Sequence, residues 1–293
     1  MKKKLSKKNK KVIKKKSQKG GNYIINNNRI NISQSNLNCN FENDTNIKRN
    51  YCDCFIQDEN KQNIINYIKN LYKKHPQKIP KIIHQVWIGP KKRPDMWLNT
   101  FRKFVKNNPE WTYMLWDDNS INNFEMINKN AYINENSYNG KSDILRYELL
   151  YRYGGIYIDA DSILINNKNL IDLINNTNNL GFFSAKEEKH RNVLATGVVG
   201  SSKNNLICLY IINALKEISI NCKVPAYKSV GPYMLDQILT GFPVTIFPYY
   251  YFYPEYWHKN YLEDNTNQFE KKYPKSYMFQ YGYTTNGLDK IIK

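Results

Sequence analysis

No run of about 18 uninterrupted apolar residues occurs in this 293-residue chain, so the sequence offers no transmembrane segment. The lysine-rich start lacks the apolar stretch that follows the basic region of a signal peptide, which argues against secretion by a cleaved leader. Cysteine is scarce. Cys39, Cys52, Cys54, Cys208 and Cys222 form an odd, scattered set that suits a reducing compartment and speaks against a disulfide-built scaffold. Cys52-Asp53-Cys54 lacks the second pair that a metal site of that kind needs, so the thiols read as unremarkable. Acid is absent from residues 1–20, where eleven Lys lie; setting that segment aside takes the net charge from +19 down to +8 for the rest of the chain. The basicity therefore belongs largely to a tail, read as a solvated arm able to touch an anionic surface. The expected location is intracellular, either soluble or peripherally membrane-associated.

What the chain has in quantity is apolar and aromatic side chain. A hydrophobic fraction of 41% and an aromatic fraction of 14% exceed what a disordered chain carries and supply a sizeable core. Residues 1–50, Lys-rich and then Asn-rich without an apolar period, read as a flexible lead-in, and 51–293 as a single domain. From Asn60 to Lys74, Ile64, Ile65, Ile68, Leu71 and Tyr72 recur at helical spacing. Lys81 to Ile88 is a compact β-branched and aromatic run bounded by Pro80 and Gly89-Pro90, hence a buried strand. A helix-like stretch from Trp97 to Val105 and a second strand from Trp111 to Trp116 complete a β-α-β order. That order favours a mostly parallel sheet with ligands at the carboxyl ends of its strands.

The segment from Gly140 to Ile165 carries the most chemistry. Ser142 is a suitable helix N-cap with Asp143 in the first turn, and Gly154-Gly155 suits the helix end. Ile156-Tyr157-Ile158 then runs into Asp159-Ala160-Asp161 and on to Ile165, so an apolar strand is expected to carry two acids on one face. Two like charges that close call for a cation, and hard ions such as Mg²⁺ or Mn²⁺ prefer carboxylate oxygen. His84, inside an apolar strand, reads as a satisfied buried histidine. Asp143 and Arg146, at i and i+3, also fit an ordinary helix ion pair, and Trp87 also fits plain core.

The string Ser142-Asp143-Ile144-Leu145-Arg146, followed by Tyr151 to Asp161 with Tyr157, Asp159 and Asp161 at their spacing, resembles the DXD region of a sugar-transferase family. That family includes initiating α-mannosyltransferases of the yeast type, inositol-phosphoceramide mannosyltransferases and bacterial capsule enzymes; the glucosyltransferase domain of large clostridial toxins is also similar. Ile79 to Gly89, Trp111 to Asp118, Val230-Gly231-Pro232-Tyr233 and Phe252-Tyr253-Pro254 extend the resemblance over roughly 79–255.

The resemblance implies an α/β fold of the GT-A type, a Rossmann-like, mostly parallel sheet with helices on both faces. It implies a hexosyltransferase that uses a UDP- or GDP-linked sugar with Mn²⁺ or Mg²⁺ and transfers with retention to a glycan, lipid or protein acceptor. Carried over, Trp87 stacks on the nucleobase, Asp143 and Arg146 bind donor-sugar hydroxyls, Tyr157 and Asp159 contact the ribose or sugar, and Asp161, with Asp159, holds the metal. Asp159, Asp161 and Arg146 are the expected catalytic residues. Two departures stand out: Thr196 where the family usually has Asn, and Phe279 to Asn286 in place of a His-containing motif followed by Ser-Trp, which leaves further metal ligands unassigned. The competing readings are a non-catalytic nucleotide-sugar binding protein of the same fold and a basic nucleic-acid binder.

Overall fold

The computed structural model describes residues 60–165, 168–189, 193–221, 225–255, 266–283 and 287–288. The lead-in assigned to 1–50 and all the cysteines except Cys208 lie outside them; Cys208 is a buried free thiol. The elements are α1 (Lys61–Lys74), β1 (Ile82–Val86), α2 (Asp95–Asn107), β2 (Thr112–Trp116), α3 (Asp118–Asn122), α4 (Lys129–Asn134), α5 (Tyr138–Tyr153), β3 (Gly155–Ile158) and β4 (Ser162–Leu164). They continue with α6 (Ile171–Asn175), β5 (Phe182–Lys186), β6 (Leu194–Ser201), α7 (Leu206–Asn221), α8 (Ala226–Ser229), α9 (Pro232–Leu239), β7 (Thr245–Phe247), α10 (Thr266–Lys272) and β8 (Met278–Gln280).

Six strands form one mixed sheet in the order β2-β1-β3-β6-β5-β7, in which β6 alone runs against its neighbours. This is the expected α/β architecture with a mostly parallel sheet. The central strand β3 is buried along its whole length, as a strand covered on both faces should be, and its residues are accordingly a continuous apolar run. Ile83, Ile156, Ile158, Phe183, Val198 and Phe247 from five strands meet in one core cluster. Because β1 lies between β2 and β3, the chain leaves β1 in one direction to form β2 and returns to its other side to form β3. That reversal opens a crevice at the carboxyl ends of β1 and β3, the position where open α/β sheets bind ligands.

Helix α5 feeds β3. It is buried almost all round, with Ile144, Leu145, Leu149 and Leu150 accompanied by the buried polar residues Asp143, Arg146 and Glu148. Its N-cap is Ser137, whose hydroxyl accepts from Gly140 N, and not Ser142; the helix starts a turn earlier than the sequence pattern indicates, and Ser142 sits inside it. Gly154 ends it at φ 68°, a conformation an L side chain rarely adopts, and a Cβ there would also lie 2.6 Å from Lys203 N.

The expectation of one strand carrying both acids is corrected. β3 ends at Ile158, and Asp159-Ala160-Asp161 is a turn, closed by Ser162 N donating to Asp159 O at 3.1 Å. β4 then departs into a separate two-stranded antiparallel sheet with β8. This small sheet rests on an aromatic cluster that includes Trp97, Phe269, Phe279, Tyr281 and Tyr283; the Trp97 and Tyr281 rings stack at 4.5 Å.

Candidate active site

A cleft of about 870 Å³ opens at the carboxyl ends of β1 and β3, within the range of small-molecule sites. Trp87, Asp143, Arg146, Tyr157, Asp159 and Asp161 all line it, so every site residue expected from the sequence is brought to one place. β1 delivers Trp87 one residue beyond its end; α5 delivers Asp143 and Arg146 on one face; β3 and its turn deliver Tyr157 and the two acids.

The acids and the arginine form one network. Arg146 Nη2 lies 2.8 Å from Asp143 Oδ1 and 3.4 Å from Asp159 Oδ1, and the guanidinium sits 4.5 Å over the Tyr157 ring. Tyr157 donates its hydroxyl proton to Asp159 Oδ1 at 3.0 Å. Burial pushes Asp143 up to about 7 against the downward pull of the adjacent Arg146, and Thr196 adds a hydrogen bond to it. The departure at Thr196 therefore places a hydroxyl on Asp143. The Asp143–Arg146 contact is far from an exposed helix pair: Arg146 is 3% exposed, and its Nη1 is buried without a protein partner.

Gln280 and Tyr283 close the other side, and sequence reasoning did not assign them. Gln280 Nε2 donates to Asp159 Oδ2 at 2.9 Å and to Asp161 Oδ1 at 3.1 Å, so one amide spans both carboxylates. Tyr283 N donates to Asp161 Oδ2 at 2.8 Å, and Tyr281 N to Asp161 O at 2.9 Å. The C-terminal segment, divergent by motif, nonetheless closes over the acids. Its one available signal was a single amide inside the aromatic run Tyr277 to Tyr283. Burial, and then the neighbouring charge of Asp159, raises the Asp161 carboxyl above the usual carboxylate range.

The donor set suits a hard divalent cation. A single hydrogen-bonding group already bridges two carboxylates, and Asp159 Oδ2, Tyr253 Oη and Gln280 Oε1 converge within 2.8–3.1 Å of where a Cβ on Gly197 would stand. The bare glycine leaves room for that oxygen cluster. Tyr253 Oη is buried without a protein partner. Among the described residues no group of three His, Cys, Asp or Glu gathers at one point; the oxygens that converge here come from two carboxylates, an amide and a phenol.

Trp87 is half-buried rather than core. Its Nε1 donates to Lys91 O at 2.9 Å, and its ring meets Tyr283 edge-on at 5.4 Å. His84 is fully buried and satisfied: Nδ1 accepts from Trp116 Nε1 at 3.1 Å and Nε2 donates to Gly154 O at 2.8 Å. Burial lowers its pKa to about 4, so it is neutral and structural.

Residues 94–180 match the family described as glycosyltransferase sugar-binding region containing DXD motif. The chain is 27% identical over 179 residues to inositol phosphoceramide mannosyltransferase 3 of Schizosaccharomyces pombe, covering 59% of this chain and 48% of that protein. It is 35% identical over 142 residues to an uncharacterized glycosyltransferase of Acanthamoeba polyphaga mimivirus, covering 45% of this chain and 54% of that one. The chain thus spans about half the length of these relatives. The PaToxG glycosyltransferase structure covers 62% of this chain and 79% of its own, with 19% identity and a TM-score of 0.46. The resemblance drawn from the DXD region is borne out by the family match and the two curated relatives.

Proposed function

We propose that the chain is a divalent-cation-dependent glycosyltransferase that takes a sugar from a UDP- or GDP-linked donor and transfers it, with retention, to a glycan, lipid or protein acceptor. The observation that carries this reading is the pair Asp159 and Asp161, bridged by one amide, in a cleft that also gathers Trp87, Asp143 and Arg146. Asp161 and Asp159 would hold Mn²⁺ or Mg²⁺, which would supply a Lewis acid for the negative charge that a departing nucleoside diphosphate develops on its phosphate oxygens.

The other residues bind and orient. Trp87 offers a half-exposed ring face at the mouth of the cleft for the base. Arg146 is fixed by Asp143 and Asp159, and its unpartnered Nη1 is left to donate to the donor sugar or to a phosphate oxygen. Asp143 accepts from a sugar hydroxyl, and Tyr157 holds Asp159 in place. Burial, and then the charge of Asp159, keeps the Tyr157 phenol protonated and hence a donor. Tyr253 Oη, buried and unpartnered beside Asp159, has a hydrogen bond free for the bound donor. Such preorganised groups act without reorganisation when charge develops.

The test is a screen of UDP- and GDP-sugars, each with and without Mn²⁺ or Mg²⁺, read as thermal stabilisation, since a ligand that binds only the native state raises its stability by mass action. At least one donor should stabilise the protein only in the presence of a divalent cation. No stabilisation by any donor would overturn the reading.

A further inference from the structure

We propose that Gln280 is a reversible third arm of the cation site: its amide nitrogen clasps Asp159 and Asp161 when no cation is bound, and its amide oxygen turns in as a ligand when one is. The proposal rests on the functional reading only in requiring a divalent cation between the two acids. Two carboxylates this close repel unless something positive or hydrogen-donating lies between them. In this structure that something is Gln280 Nε2, at 2.9 Å from one and 3.1 Å from the other. A carboxamide carries opposite chemistry at its two ends, donor nitrogen and acceptor oxygen, on one planar group. A half-turn about its last torsion exchanges them without moving the main chain.

The surroundings hold everything else still. Gln280 pairs with Ser162 across the β4–β8 ladder, Tyr281 N is bonded to Asp161 O, and Tyr283 N holds Asp161 Oδ2. Trp97 stacked on Tyr281 fastens the segment to α2. Gly197 leaves the turning space: a Cβ there would sit 2.8 Å from Asp159 Oδ2 and 3.1 Å from Gln280 Oε1. Two carboxylates and an amide oxygen make an all-oxygen set, the kind that suits Mg²⁺ and Mn²⁺. The clasp therefore keeps the two acids assembled before the cation arrives.

The experiment titrates Mn²⁺ alone, with no donor, into the full chain by calorimetry, for the wild type, Gln280→Glu and Gln280→Met, and records the melting temperature of each with and without Mn²⁺. Gln280→Glu swaps the amide for a third carboxylate of the same shape. It should bind Mn²⁺ about tenfold more tightly, since ligand charge sets affinity, while melting lower than wild type when cation-free. Gln280→Met keeps the bulk but neither end of the amide; it should melt lower as well and bind Mn²⁺ about tenfold more weakly.

The same Mn²⁺ affinity in all three proteins would reduce Gln280 to a structural strut and overturn the proposal, as would absence of Mn²⁺ binding in both the wild type and Gln280→Glu. Unchanged Mn²⁺ affinity in Gln280→Glu with donor binding intact defeats the ligand arm, and cation-free melting temperatures of both variants equal to wild type defeat the clasp; either result overturns the proposal while leaving the functional reading standing. Failure of every nucleotide sugar to bind the wild type, with the Mn²⁺ differences as expected, defeats the functional reading alone.

Discussion

His84 sits in the middle of an apolar strand, with both ring nitrogens already engaged, so protonation there breaks an existing hydrogen bond. Its folded-state pKa of about 4 lies below the unfolded 6.5, so between those values the unfolded chain binds more protons. The stabilisation is full above pH 6.5 and is lost as pH falls toward 4, on the order of 3 kcal/mol in all. Asp143, raised from 3.8 to about 7, runs in the opposite sense over much of the same window, so the wild-type curve alone conceals the effect. Comparison with His84→Gln removes that overlap. In urea unfolding at pH 7 and pH 4.5, the stability advantage of wild type over the variant should shrink at the lower pH; parallel behaviour would show that His84 does not titrate as its burial implies. Gly197 makes a second prediction at this scale. The atoms a Cβ would meet are side-chain ends that can shift, so Gly197→Ala should keep its melting temperature while displacing Asp159. Donor hydrolysis should fall about a hundredfold, the size of effect expected from a misplacement near 1 Å. The gathering of Asp143, Arg146, Asp159 and Asp161 in one cleft was legible in the sequence because their spacing is dense and local. Gln280 was not, because it meets the acids across 119 and 121 residues of chain, a juxtaposition that no local pattern records.

At the scale of elements, β1, α2, β2 and the helix-to-strand passage through Gly154 followed from periodicity and punctuation, with ends shifted by a few residues. Two local inferences failed for identifiable reasons. Ser142 has a capping side chain, but Ser137 has one too, and tertiary packing of α5 favours the longer helix. The apolar residues on either side of Asp159-Ala160-Asp161 do not form one strand, because they serve two sheets, and the turn between them brings the acids together. The position of Trp87 just beyond β1 yields the element-scale prediction. Stacking of a base on an aromatic ring is worth roughly 1–3 kcal/mol in single-stranded nucleic-acid binders. Trp87→Ala should therefore weaken nucleotide affinity by about one to two decades, and Trp87→Phe by less, because Phe keeps a ring face. If Trp87 were only interior filling, Trp87→Ala would instead lose roughly 3–5 kcal/mol of stability and still bind nucleotide normally. Calorimetric titration of both variants, alongside their unfolding curves, distinguishes the two.

At the scale of the molecule, the α/β class was readable from the alternation of strands and helices. The strand order, which creates the crevice beside β1, and the return of β8 to seal it were not, since both are matters of long-range pairing. Among the described residues no helix is long and apolar enough to cross a membrane. The central claim is that Asp159 and Asp161 hold a divalent cation that serves sugar transfer. Asp161→Asn tests it with little change in volume, because the amide removes an anionic ligand while leaving an acceptor for Tyr283 N. The decisive measurement is donor hydrolysis by wild type and Asp161→Asn, with the donor that stabilises the protein, across a Mn²⁺ titration carried to excess. The account predicts cation-dependent hydrolysis in the wild type and its loss in a variant that melts cooperatively; undiminished hydrolysis by Asp161→Asn at saturating Mn²⁺ would contradict it.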